Sequence, residues 1–297
     1  MIDILKRIPP VFLLIIATIC WGGNFVIGRA VAGDLPPFTL AFLRWVIAFI
    51  FFLPFAWQGF IKNIPVLKKY FIPVLFMSIT GVTGFNTLLY VALNHTTAIN
   101  ASLMNTSTPI IIYLLSFIFF KEKLTKNQII GTIISLFGVV FIISKGSIQT
   151  LAELSFNIGD LIVLIAVVCW SIYSLLVKHY AKKLPGNATF ITTIFIGVIL
   201  LLPFFLYEIV ILEIPIIWNP LTLSTIFYTG IFASIIAFLA WNTGVIKIGP
   251  SRAGIFLNFI PVFATLFAVL FINETLEVFQ LIGGIFVILG IFLSTRS

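Results

Sequence analysis

The chain has 297 residues, of which 17 are basic and 9 acidic; 9% is charged, 61% is apolar, and 33 residues are Phe. So few charges cannot cover a soluble fold of this length, because large exposed apolar patches drive association. A soluble enzyme, a disordered or fibrous protein and a nucleic-acid binder are excluded, and the net charge of +8 reads as membrane topology rather than as affinity for nucleic acid.

An α-helix rises about 1.5 Å per residue, so about 20 apolar residues cross about 30 Å of hydrocarbon. The first such run is 11–31, with Lys6 and Arg7 before it. It has no small-x-small cleavage site after a short core, so it reads as an uncleaved first span rather than a signal peptide. It carries Trp21, Gly22, Gly23, Asn24 and Arg29, the last close enough to the outer end to snorkel. After the turn Gly33 to Pro37, a second span at 37–56 holds Arg44, roughly 10 Å from its outer end. Gln58 to Lys69 reads as a connection. The third span, 70–93, carries Gly81, Gly84 and Tyr90.

Beyond His95, the fourth span, 98–119, opens on Asn100, Ser102, Asn105, Thr106, Ser107, Thr108 and Pro109. Pro109 has no N–H for the carbonyl of Asn105 and is expected to kink this helix. The charged turn Lys121-Glu122-Lys123 leads to a fifth span, 127–144, and a connection from Lys145 to Asn157 leads to a sixth, 159–178, with Trp170 and Tyr173. A seventh, 188–208, follows Leu184-Pro185-Gly186. The eighth, 221–245, carries Trp241; the ninth, 252–271, carries Asn258 and Pro261, the latter a second kink; the tenth is 278–294. The expected fold is an all-α integral membrane protein of ten transmembrane helices.

Charge placement tests that count. With the N-terminus in the cytoplasm, every Lys and Arg falls in a cytoplasmic segment except Lys145 and the two within spans, Arg29 and Arg44. One missed helix would scramble this bias. The acids Asp34, Glu153, Asp160, Glu208, Glu213, Glu274 and Glu277 fall outside. A multi-pass protein of the cell membrane with both termini cytoplasmic is expected.

The halves also match each other. Cys20-Trp21 aligns with Cys169-Trp170, Leu35-Pro36 with Leu184-Pro185, and Leu53-Pro54-Phe55 with Leu202-Pro203-Phe204. Further on, Pro109 aligns with Pro261, and Glu122, Gln128, Gly131 and Gly138 with Glu274, Gln280, Gly283 and Gly290. Chance matches among Ile, Leu and Phe are cheap in this composition; matches among Trp, Pro, Glu and Gln are not. Five spans per repeat is odd, so the second repeat (159–294) enters the membrane inverted relative to the first (11–144). Lys121, Lys123 and Lys126 accordingly become Asn273, Thr275 and Val278. Inverted repeats are a hallmark of secondary transporters, whose halves rock about a midplane site.

These residues resemble a family. Trp21-Gly22-Gly23-Asn24-Phe25-Val26, Pro36-Pro37, Arg44 and the run from Pro109 through Glu122, Gln128, Gly131 and Gly138 are similar to an EamA-type repeat, and the second half repeats its order. The resemblance covers essentially the whole chain. It implies the drug/metabolite transporter superfamily: ten helices, a central cavity lined mainly by spans 1, 3, 4, 6, 8 and 9, and amino acids and related metabolites as solutes, often moved outward. Thr193 stands where the first repeat has Arg44, and Tyr173 where it has Asn24. Those departures make the cavity asymmetric.

Several intramembrane residues are expected to meet the solute. Arg44 is either an anion contact or a structural arginine pairing with carbonyls or an acid. Asn105 and Asn258, beside the two prolines, either face the solute or bond between helices. Trp21 and Trp170 either line the cavity or pack; Asn24 and Tyr173 accompany them; Tyr90 and Trp241 line the cavity or form an interfacial belt. Glu122 and Glu274 read as caps or gate contacts. No Asp or Glu falls mid-span, so transport is expected to be uncoupled or an exchange of metabolites. No catalytic, metal-binding or cofactor motif is present, and Cys20 and Cys169 make no disulfide framework. The reading is an alternating-access carrier of a small organic metabolite across the lipid bilayer, an exporter of amino-acid-like solutes, with a passive channel or lipid-handling protein of the same architecture as the alternative.

Overall fold

A computed structural model describes residues 7–31, 33–92, 95, 104–153, 157–272 and 277–295. The side chain of Arg29, and Asn100, Ser102 and Glu274, lie outside the described residues. The long helices are α1 (Pro10–Ala30), α2 (Pro37–Lys69), α3 (Phe71–Ala92), α4 (Thr108–Phe120), α5 (Lys126–Ile143), α6 (Ile158–Tyr180), α7 (Gly186–Ile211), α8 (Pro220–Ile248), α9 (250–272) and α10 (Val278–Thr295). Among the described residues nine of these are long and apolar enough to cross a membrane, and the described part of α4 is a shorter apolar helix. The protein is a multi-pass, all-α membrane protein.

Two connections expected from sequence are helical instead. α2 runs on from the expected boundary through Gln58 to Lys69 for 33 residues. At 1.5 Å per residue that is about 50 Å, well beyond the hydrocarbon. A helix need not end where lipid ends: Gln and Lys are good helix formers once water solvates them. Between α5 and α6, Ile148–Ala152 forms a five-residue helical turn capped by Ser147.

Pro109 also acts differently from a kink. It sits in the first turn of α4, after a turn at Thr106 and Ser107. Proline is favoured there because its missing N–H has no helical partner to lose. The Thr108 hydroxyl donates to the Asn105 carbonyl that proline leaves free. In α9, a 3₁₀ stretch at Ile255–Asn258 precedes the α-helical segment that contains Pro261.

Helix α5 packs against α10 through glycines. A Cβ on Gly131 would lie 2.5 Å from the Gly290 carbonyl oxygen, and a Cβ on Gly138 2.5 Å from that of Gly283. The helices are therefore antiparallel and backbone meets backbone, as small residues allow in lipid. Each contact occurs twice with the aligned residues exchanged. Other packings pair likewise: α1 lies against α8 and α9, α6 against α3 and α4, and α2 against α7. Of the paired glycines, Gly283 is in the crossing whereas Gly284 has only Val262 Cγ1 at 4.0 Å. Both α3 and α8 widen into π-helix, at Ser78–Gly84 and Thr229–Ile236.

Candidate functional site

The centre of the bundle is aromatic. Trp21 of α1 and Trp170 of α6, the aligned pair, meet edge-to-face with ring centres 5.1 Å apart. Trp241 lies 5.6 Å from each, Phe238 5.9 Å from Trp21 and 5.3 Å from Trp170, and Tyr173 5.4 Å from Trp170. Edge-to-face pairs contribute about 0.5–1.5 kcal/mol each beyond burial. Trp241 is wholly buried, so it belongs to this layer and not to an interfacial belt. The indole of Trp21 donates to the Ala233 carbonyl in the π segment of α8 (3.0 Å), and that of Trp241 to the Ser174 hydroxyl (3.2 Å). The indole nitrogen of Trp170 is buried without a partner.

Beside these rings is a small cavity of about 30 Å³, bordered by Trp21, Asn24, Phe85, Asn86, Leu89, Asn105, Trp170, Phe238, Leu257 and Ile260. Four sequence-predicted residues meet there: Trp21, Asn24, Asn105 and Trp170. The space suits one or two waters rather than a metabolite. The buried Oδ1 of Asn24 has no hydrogen-bond partner. Asn258 is elsewhere: its amide nitrogen donates to Ser135 of α5 (2.9 Å), an interhelical bond.

Arg44 is 1% exposed. Its Nε donates to Ser234 (2.8 Å) and its Nη1 to Asn86 Oδ1 (3.1 Å) and the Tyr90 hydroxyl (3.0 Å). Its guanidinium carbon stands 5.5 Å from the Trp45 ring centre. All these partners are neutral, and no carboxylate pairs with it among the described residues. Asn86 joins this arginine to the small cavity. Asn86, Ser234 and Phe238 were not singled out from sequence; an amide inside the apolar run of span 3 was the available signal for the first.

Tyr173 is 2% exposed and exchanges hydrogen bonds with Asn242 (2.8–3.0 Å). These two border a second cavity of about 550 Å³ among α3, α6, α7 and α8, whose wall reaches the helix ends at Ala181, Pro185 and Lys247. Trp170 borders the small cavity and Tyr173 the large one, so the ring layer separates them.

Of two acids read from sequence as external or capping, one caps a helix and the other bonds a side chain of another helix. Glu208 is 2% exposed; its oxygens accept from the Phe38 and Thr39 amides (3.0 and 2.7 Å) and the Thr39 hydroxyl (2.9 Å), at the start of α2. Carboxylates are favoured at helix N-termini. Glu122 accepts from Ser251 (2.9 Å) in the first turn of α9.

A multi-pass helical bundle with a polar-flanked aromatic centre and two internal cavities is the build of a membrane transporter. The EamA-like transporter family matches residues 8–144 and again 157–296. The chain is 30% identical to the uncharacterized transporter YyaM of Bacillus subtilis, over 97% of this chain and 93% of that one. It is 26% identical to an uncharacterized transporter of Archaeoglobus fulgidus, over 96% of each. A protein of known crystal structure shares the fold with a TM-score of 0.80, at 21% identity, over 97% of this chain and 96% of that one. The chain belongs to the EamA-like transporter family.

Proposed function

We propose that the protein is a secondary transporter that moves a small organic metabolite by alternating access, an exporter of amino-acid-like solutes, and not an enzyme. The observation that carries this reading is Arg44: a buried cation, held by Ser234, Asn86 and Tyr90 with no acid among the described residues beside it, next to a cavity edged by Asn24, Asn86 and Asn105. Burying an unpaired charge is costly, and a solute carboxylate would relieve that cost. Indole and ring faces would hold the solute's body. Asn258 and Tyr90 act here through Ser135 and Arg44, and Trp241 and Tyr173 form the wall the solute must pass.

The exchanged contacts across α5 and α10 support two repeats of opposite orientation, 11–144 and 159–294, with Pro109 and Pro261 ending their fourth spans' irregular segments. In this reading the Lys-rich helix ends at Lys178, Lys182, Lys183 and Lys247 are cytoplasmic, the termini with them, and the membrane is that of the cell. The test is counterflow in proteoliposomes loaded with unlabelled amino acids. Saturable uptake of label that depends on internal solute is expected. Flux that grows linearly with concentration would favour the passive channel and end the carrier reading.

A further inference from the structure

The larger cavity touches the central group at Tyr173 and otherwise lies outside it, and the alignment of the two halves explains why it exists. In the first half, Arg44 reaches from α2 to Tyr90 on α3 and Ser234 on α8, and fills the space between them. At the aligned place in the second half, Arg44 is replaced by Thr193 and Tyr90 by Asn242. The Thr193 hydroxyl turns back on the Phe190 carbonyl of its own helix (2.8 Å). Among the described residues no side-chain hydrogen bond joins the two helices there, and about 550 Å³ stays open. The remaining polar groups on its wall are amides and hydroxyls, among them Asn187, Asn242 and Thr243, beside Tyr180 and Phe190. No acid lines it. Lys247 is at its rim with the ammonium on the Ile8 carbonyl (2.6 Å).

We infer that this cavity is a second binding site, for an uncharged amphipathic solute with a ring or aliphatic body and a hydrogen-bonding end. Its volume is within the range of about 300–1,000 Å³ that small-molecule sites occupy, with mostly apolar walls and a few polar groups. A cationic ligand would lose its water with no acid among the described residues to receive it, and the one ammonium on the rim, that of Lys247, is already held by the Ile8 carbonyl. Beyond its exchange with Tyr173, the Asn242 amide keeps one N–H and one acceptor lone pair, and Tyr173, Tyr180 and Phe190 supply ring faces. This site depends on neither the direction nor the coupling of transport. A protein that moved nothing would still bind here.

The experiment uses the full chain in nanodiscs, with Cys20→Ala, Cys169→Ala and Thr243→Cys, and follows modification by a water-soluble maleimide. The expected result is modification of Cys at 243 that slows about tenfold with N-acetyl-L-tyrosinamide at ten times its Kd, and is unaffected by benzoate or tetraethylammonium. Thr193→Arg, which restores the first half's residue, is expected to abolish that protection with the thermal unfolding temperature unchanged. Asn242→Leu, which keeps the volume and removes the amide, gives the same answer if Thr193→Arg does not fold. An unreactive Thr243→Cys, protection by benzoate or tetraethylammonium instead, or full protection in Asn242→Leu would each overturn the inference.

Discussion

Replacing Gly290 by Ala measures how tightly α5 and α10 are locked. The new Cβ would fall 2.5 Å from the Gly131 carbonyl oxygen, 2.5 Å from the Ser135 nitrogen and 2.7 Å from the Ser135 Cβ. Ordinary contact begins near 3.4 Å, so the backbones would have to part by about 0.9 Å. Both nearest atoms are backbone, so no side chain can swing away, and parting there also loosens the Gly138–Gly283 contact. Overpacking costs about 1–3 kcal/mol, here at the upper end, while Ala gains about 1 kcal/mol over Gly in helix propensity. The net expectation is a loss of about 2 kcal/mol. Gly284→Ala, on the same helix but with its nearest neighbour at 4.0 Å, keeps the propensity gain without the clash. Thermal unfolding in detergent, followed by tryptophan fluorescence, should lower Tm by several degrees for Gly290→Ala and leave it level or raised for Gly284→Ala. A Gly290→Ala protein as stable as Gly284→Ala would refute the packing described for the two helices.

Three further outcomes follow from individual contacts. Trp21→Phe removes the bond to the Ala233 carbonyl and should cost about 1–2 kcal/mol, whereas Trp170→Phe, whose indole nitrogen has no partner, should cost less; paired thermal melts compare them. Glu208→Gln leaves the α2 amides without their charged acceptor and should lower stability by about 1–2 kcal/mol in the same assay. Arg44→Met removes three hydrogen bonds but also the cost of burying a cation, so its Tm should move little, while counterflow of a carboxylate solute drops at least about tenfold; unchanged counterflow would assign Arg44 a structural role alone.

The helices were legible in the sequence because lipid imposes one rule along the chain: apolar residues for about 20 positions, then charge. The rule sets where hydrocarbon ends, not where hydrogen bonding ends, which is why α2 was cut short at its polar half. Trp21 and Trp170 were legible as a pair from their alignment, and they touch. The partners of Arg44 were not. Asn86 and Ser234 come to it from α3 and α8, and local spacing carries no signal of which residues meet across helices. Glu208 read as an external acid because its neighbours are apolar and a loop follows. Its burial depends on the start of α2 arriving beside it with unpaired amides. The large cavity was hidden for a related reason: the Arg44-to-Thr193 exchange was visible, but space is a property of packing.

The two cavities also have an electrical consequence. Water filling the larger one would bring the potential of that face up to Tyr173, so the voltage across the membrane would fall mainly over the septum of rings and the bonds behind it. Along α8 the order is Ser234, Phe238, then Asn242, which puts Arg44 on the septum's far side from the large cavity. One elementary charge crossing the full potential gains about 2.3 kcal/mol per 100 mV. A septum would concentrate that drop, so in the alternating-access reading proposed above any displacement of the Arg44 guanidinium across it would move charge through much of the membrane potential.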